Sequence, residues 1–444
     1  MKPDTIAIIG SGITGLAAAW LLHKHHRVTL FEKNTYLGGH THTIDVAEGE
    51  CSVPVDTGFI VYNERNYPNL IGLFKQLDIQ TRATDMSFAF SLNQGELEYA
   101  GSSLDTLFAQ RSNLLRPRHW RLLGEILRFN KLAHSLLDKP ELIQGLSLGE
   151  LLDMYRFSRD MREHYLLPMG AAIWSCPVAT MLTFPALSFL RFFANHGLID
   201  LRNRPQWRTV CGGSSFYVRK LLAEMGQRLS IQPGAVRVER TAQQATVFTT
   251  DGKQDFDAVI FACHADQALA LLAQPSAAEQ DILGCFRYEP NRTYLHTDKA
   301  LMPLNPRVWS SWNYLATSQP ASRQQMTATY WMNKLQGLAT RTDYFVTLNP
   351  YQLPRDEHII AEMTYEHPIF DQPAVNAQAQ LASLQGQQRS WFCGSYARYG
   401  FHEDALASAV QVCRDFGITP VWQQAQAPTP QLAPALAVAG AVTP

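Results

Sequence analysis

The chain has 444 residues, enough for a large core and two intimately connected domains. A formal net charge of −1 with only 17% charged residues leaves no global field to attract nucleic acid or acidic partners. The seven cysteines, at 51, 176, 211, 263, 285, 393 and 413, are odd in number and hold no C-x-x-C, which argues for a reducing compartment and against a disulfide frame or a zinc site.

Lys2 passes directly into an apolar run, so no cleaved signal peptide is expected and the reading is a soluble, cytoplasmic protein. Residues 6–9 have the all-apolar pattern of a strand buried on both faces. Gly10, Gly12 and Gly15 follow in G-x-G-x-x-G spacing, with Ser11, Ile13 and Thr14 between them, and a helical pattern runs on to about His23. Gly10 permits the tight turn, Gly12 the approach of a pyrophosphate, and Gly15 the packing of helix on strand. The free N–H groups at the helix start favour phosphate. A second strand over 28–31 ends in Glu32, with Lys33 beside it, where a carboxylate can accept from ribose hydroxyls. The frame predicts a dinucleotide site.

Gly38 and Gly39 then complete an E-x-x-x-x-x-G-G string, followed by His40. With these residues the sequence resembles the flavoprotein superfamily of amine oxidases, phytoene desaturases and protoporphyrinogen oxidases. The resemblance implies FAD, with the second glycine pair against its diphosphate; Glu32 also disfavours a 2′-phosphate. It implies an α/β fold, a Rossmann-type FAD-binding domain with an inserted α+β substrate domain. Residues 1–84, 205–275 and 388–422 would form the FAD domain, and 85–204 and 276–387 the substrate domain. The Ala/Pro-rich stretch 423–444 reads as a disordered tail.

The run His40, Thr41, His42, Thr43 has the look of a metal or proton-relay cluster, but no acidic ligands are spaced with it, and a polar loop near the cofactor accounts for it better. By resemblance His40 lies close to the flavin. The string 53–70 matches the family segment whose D-x-G turn leads residues under the flavin ring; Gly58 would make the turn, and Val61, Tyr62 and Asn63 would face flavin or substrate. Residues 85–100 read as a β-hairpin turning at 93–95. Residues 105–138 are helical and basic, with Leu114, Leu115, Trp120, Leu122 and Phe129 among the arginines. Such a helix suits an anionic membrane surface, or a surface helix packed on the second domain. Residues 166–190 carry no charge, yet Pro168, Pro177 and Pro185 recur through them, so a wall of an apolar cavity, or plain core, is a better reading than a membrane span.

Residues 208–222 match the family's return to the cofactor domain, and 231–248 read as a β-meander with Val236 over the adenine. A buried strand over 258–262 ends at Cys263 and His264, for which structural use is favoured over a nucleophile. The strand-rich, aromatic stretch 288–365 suggests an antiparallel sheet with one covered face. In 391–412 the family brings Gly394 to the diphosphate and a helix N-terminus to the flavin pyrimidine. Where the family has G-A or G-G, this chain has Glu403, Asp404 and Ala405; Glu403 and Ala405 are placed at the cofactor, and an acidic pair here also suits helix capping.

The strings TVCGGSSFYV and CGSYARYGFHEDAL carry a narrower resemblance to oxidoreductases related to fatty-acyl desaturases of furan fatty-acid synthesis and to the oxidase-like part of plant cyclopropane fatty-acid synthases. That resemblance implies removal of two hydrogens from a hydrophobic, fatty-acyl lipid; Tyr62, His40, His402 and Glu403 are the candidate bases, and the basic helix is what offers contact with the inner membrane face. A flavin amine oxidase, an isomerase of phytoene type and a non-catalytic FAD-binding partner of a lipid methyltransferase remain open beside it.

Overall fold

The computed structural model describes residues 3–200, 202–318 and 326–424. Its first sheet is five-stranded and wholly parallel, in the spatial order Leu229–Pro233, Arg27–Glu32, Thr5–Ile9, Ala258–Phe261, Ser390–Phe392. Strands Thr5–Ile9 and Ala258–Phe261 are central and apolar on both faces because helices cover one side and a small antiparallel sheet the other. Every residue of the helix Ile13–Leu22 is buried, which its Ala-rich sequence allows, since small side chains let strand and neighbouring helix approach closely. The last long helix, His402–Asp415, packs along it.

The small antiparallel sheet comprises Arg237–Arg240, Ala245–Thr249 and Gly252–Phe256. One expectation changes here. Ile231 and Gln232 belong to the edge of the parallel sheet, paired with Leu30 and Phe31, and the meander begins only at Arg237.

The second large sheet has seven strands in the order Ile359–Ile369, Arg287–His296, Phe345–Leu348, Ala328–Trp331, Trp312–Ala316, Phe88–Leu92, Leu97–Ala100. All pairings are antiparallel except that of Trp312–Ala316 with Phe88–Leu92. The hairpin read at 85–100 therefore extends a sheet made mainly from residues two hundred and more positions later. Its turn residues Asn93, Gln94 and Gly95 all have positive φ.

Helices Leu167–Trp174 and Ala186–Asn195 share a hydrophobic core with this sheet. Pro168 stands in the first turn of one helix, and Pro177 and Pro185 at the N-caps of the next two, so each proline starts a helix and breaks none. Among the described residues no helix is long and apolar enough to cross a membrane. The basic helix Pro117–Leu137 turns Leu122, Phe129, Ala133 and Leu136 into the same core and leaves Trp120 and Leu127 outside. At the C-terminus the packed chain runs two residues further than composition suggests: Gln423 and Gln424 close the short helix Val421–Gln424, whose Trp422 stacks on Trp20 at 6.2 Å. Residues 425–444 of the expected tail lie outside the described residues.

Candidate active site

A cavity of about 1290 Å³ runs from the C-terminal ends of the parallel strands to the seven-stranded sheet. Its glycine end is built by close backbone approach. Gly10 has φ +104°, and a Cβ there would come within 2.8 Å of the Ala262 carbonyl oxygen. A Cβ on Gly15 would land on the Gly10 carbonyl, so this glycine serves the helix–strand contact and does not reach the cavity. Gly12 is the opposite case: nothing lies within 4 Å of its missing side chain, and its backbone faces open space. Gly39, at φ +58°, sits against Gly12, while the Gly38 amide donates to the Ser11 carbonyl at 3.1 Å.

Glu32 ties this loop to its strand. Its Oε2 accepts from the Ser11 amide at 2.8 Å and the Ser11 hydroxyl at 2.6 Å, and its Oε1 from the Asn34 amide at 2.8 Å. Ser11, Gly12, Ile13 and Thr14 line the cavity beside Gly38, Gly39 and Glu32; Lys33, Val236 and Gly394 line it further along. A cradle open at Gly12, a facing glycine pair and a carboxylate at the strand end fit the diphosphate and ribose of FAD.

His40 and His402 reach the cavity, as expected of them, and Val61 and Ala405 line it too. The His402 ring stacks on Phe59 at 3.7 Å, and its Nε2 lies 2.6 Å from the Tyr217 hydroxyl. His40 lies 5.2 Å from the Tyr365 ring, 5.3 Å from His367 and 6.3 Å from His264. Burial lowers the pKa of all four imidazoles, His40 to about 4 and His264, His367 and His402 to about 3. They stand neutral at pH 7. Among the described residues no three His, Cys, Asp or Glu side chains are placed to hold a metal ion.

Three expected site residues point elsewhere. Tyr62 faces away from the cavity; its ring packs against Tyr67 and Phe74 and its hydroxyl donates to Thr81 Oγ1 at 3.1 Å. Strand alternation explains this, because Val61 and Tyr62 are neighbours and only one can face the cofactor side. Asn63 is fully buried at the end of its strand, Val61–Asn63, where its Oδ1 accepts from the Asn66 amide of the following turn. Glu403, expected at the flavin and as a candidate base, lies off the cavity and caps another helix, Pro68–Gln76. Its Oε1 accepts from Asn69 N and Nδ2 at 3.0 and 2.7 Å, and its Oε2 from Leu70 N at 3.0 Å. Asp404 caps its own helix through the Phe401 amide at 3.0 Å.

Sequence reading missed His367 and Tyr365, and it gave His264 no part in the site. Tyr365 and His367 occupy alternate positions of the strand Ile359–Ile369, so a period of two puts them on one face. The Tyr365 hydroxyl lies 2.6 Å from Thr57 Oγ1 and 2.9 Å from His42 Nδ1. Cys263 also lines the cavity, but burial lifts its thiol to about 12, which leaves it un-ionised and inert.

Beyond the histidines the cavity becomes apolar. The uncharged stretch supplies Met169, Ile173 and Trp174, and the sheet supplies Trp312, Tyr330 and Leu348. Lys33 and Arg204 are the only Lys or Arg side chains among its described lining residues. The arrangement offers a phosphate-binding cradle at one end and a room for a hydrophobic molecule at the other, joined at a cluster of neutral imidazoles.

AofH of Mycobacterium tuberculosis, named as a flavin-containing monoamine oxidase, is 24% identical over 281 residues, 61% of this chain and 59% of AofH. The chain thus spans under two thirds of that relative's length. Two solved structures share the fold over nearly their whole length. Cyclohexylamine oxidase from Brevibacterium oxydans IH-35A has a TM-score of 0.66 at 15% identity, over 94% of this chain and 100% of that one. A fatty acid isomerase from P. acnes that produces CLA has a TM-score of 0.65 at 16% identity, over 93% and 98%. The family described as flavin containing amine oxidoreductase matches residues 13–310, well over half of the 444, and this chain belongs to it.

Proposed function

We propose that the protein takes two hydrogens from a long, hydrophobic acyl substrate. The carrying observation is the far half of the cavity, whose walls of Met169, Ile173, Trp174, Trp312 and Tyr330 offer dispersion contact and no charge. The fatty acid isomerase of the same fold indicates that such a scaffold can house an acyl chain. Residues Ser11–Thr14, Glu32, Gly38 and Gly39 would hold FAD, which when bound supplies a two-electron acceptor.

The chain's own residues do the rest. The aromatic walls exclude water and lay the substrate toward the glycine end. The neutral rings of His40 and His402 present unprotonated nitrogens beside the reacting region, and burial makes both weak bases. The Tyr217 hydroxyl touches both His402 Nε2 and Thr41 Oγ1 and so holds the orientation of the His402 ring.

Amine oxidation is the second reading. It is favoured by the aromatic side chains Tyr365, Tyr399 and Phe401 on the cavity wall, able to cage an amine, and by the amine oxidases among the relatives. Anaerobic visible spectra of the FAD-loaded protein decide between the two. Bleaching of the flavin by long-chain fatty acid or phospholipid supports the acyl reading; bleaching by cyclohexylamine or other amines alone replaces it. A flavin left oxidised by both classes points to a non-catalytic, FAD-binding role.

A further inference from the structure

Five large apolar side chains stand exposed in one region of the substrate half. Leu104 is 76% exposed, Leu114 45%, Leu115 88%, Trp120 52% and Leu304 66%. Single exposed leucines are ordinary, but a group of this size around a tryptophan is not.

Their connections converge on the hairpin formed by Phe88–Leu92 and Leu97–Ala100. The Trp120 indole N–H donates to the Leu114 carbonyl at 2.9 Å, and its ring lies 5.0 Å from Phe108, on the turn of helix that Leu104 begins. Leu304 covers Gly95 at the hairpin tip. Gln110 donates to the Gly95 carbonyl at 2.6 Å, and Arg116 to the Glu96 carbonyl at 3.4 Å. A sequence that wanted these leucines in the core had one within reach, since Leu122 and Phe129 of the adjoining helix are buried in it.

Arginines rim the patch. Arg111 pairs with Asp105 and Arg118 with Asp160, while Glu96 at the hairpin tip accepts from the Asn93 side-chain amide and forms no ion pair among the described residues. Arg116 and Arg121 form no ion pair among the described residues and are exposed. Apolar side chains flanked by unpaired guanidinium groups match a bilayer surface, with leucines among the acyl chains, Trp120 at the boundary and arginines on lipid phosphates.

The cavity comes to the surface at the same place. Gly101 and Ser102 line it and are exposed, and Ser103 next to them is the N-cap of the helix that starts at Leu104.

We propose that this patch docks the protein on an anionic lipid surface and sets the mouth of the cavity against the bilayer. A substrate dissolved in lipid would then pass from bilayer to cavity without crossing water. The docking rests on the surface alone, while the passage of substrate rests on the acyl reading above.

The test is sedimentation of the full-length, FAD-loaded protein with vesicles of phosphatidylglycerol and phosphatidylethanolamine, and with vesicles of phosphatidylcholine alone. The expected result is co-sedimentation with the anionic vesicles and much less with the neutral ones. In the double variant Leu115→Ser/Trp120→Ser the partition should drop at least tenfold with flavin content unchanged. A second variant, Arg116→Glu/Arg121→Glu, should lose binding to the anionic vesicles while keeping its apolar patch. Wild type left in the supernatant with both vesicle types overturns the proposal, including the case where the patch meets a second copy or another protein instead. Variants that sediment as well as wild type overturn it too. Vesicle binding without flavin bleaching by lipid would sink the acyl reading and leave the docking; bleaching by dispersed fatty acid without vesicle binding would do the reverse.

Discussion

The Glu403 carboxylate, at the start of the last long helix, accepts the Leu70 amide at 3.0 Å across 333 residues of sequence. Together with the two Asn69 donors it fills the N-terminal amides of the helix Pro68–Gln76, for which no side chain of that helix's own N-cap is available. Burial pushes the Glu403 pKa up to about 7 while these three donors pull it down. Glu403→Ala leaves buried N–H groups without a partner, at about 2–3 kcal/mol. Thermal or urea unfolding should show that loss, whereas flavin reduction in the folded fraction should stay within about tenfold. Removing a true proton acceptor costs about 10²–10⁴ in rate. A larger kinetic than stability effect would return Glu403 to the chemistry.

Two glycines of the same motif should separate folding from cofactor binding. Gly15→Ala drives a Cβ into the Gly10 carbonyl, a backbone atom that cannot move aside, so the variant should be destabilised by about 3 kcal/mol or more. Gly12 has an ordinary φ of −61° and empty space where a side chain would stand. Gly12→Ala should therefore fold like wild type and lose FAD, because its new methyl group stands where the diphosphate approaches. Urea unfolding of the flavin-depleted proteins, set beside flavin retention on gel filtration, checks both halves.

The nucleotide half was legible because its signals are local. Three glycines, a carboxylate and a second glycine pair within 40 residues leave one way to place a dinucleotide, and Glu32 sits where spacing put it. The site was legible only where one strand or turn decides orientation. Tyr62 was misread because neighbouring strand residues face opposite sides, and Glu403 because its partners Asn69 and Leu70 lie over 330 positions away. His264 and His367 meet His40 through two separate returns of the chain, a juxtaposition no local pattern encodes. The parallel pairing of Trp312–Ala316 with Phe88–Leu92 was hidden for the same reason.

Glu32 does two things at once, and a substitution series can divide them. Its carboxylate orders the Ser11 and Asn34 amides and faces the space for a ribose. Glu32→Ala should weaken FAD binding at least tenfold, as loss of a charge-assisted contact worth about 1.5–3 kcal/mol implies. Glu32→Gln keeps one acceptor for Ser11 and should fall between the two. Fluorescence titration of flavin-depleted protein with FAD measures this; an affinity unchanged in Glu32→Ala would contradict the placement of the ribose.

The histidine cluster makes the protein sensitive to acid in a direction the pKa values fix. His264 and His367 have folded pKa values near 3, lowered by burial and by the neighbouring His40, against 6.5 for an unperturbed imidazole. Below pH 6.5 the unfolded chain takes protons that the native chain refuses. Their neutral-state stability is therefore whole above pH 6.5 and is lost as pH falls toward 3. Asp56 and Asp404, raised to about 6 by burial, and Glu403, raised to about 7, act in the opposite sense, holding protons in the native state that the unfolded chain has released. The total pH profile mixes both, so the difference between variants is the informative quantity. With two neutral side chains in place of the imidazoles, His264→Gln/His367→Gln should lose about 4 kcal/mol less than wild type between pH 7 and pH 5. Urea unfolding of the flavin-depleted proteins at both pH values measures it, and equal losses in the two proteins would mean that these imidazoles already carry protons in the folded state.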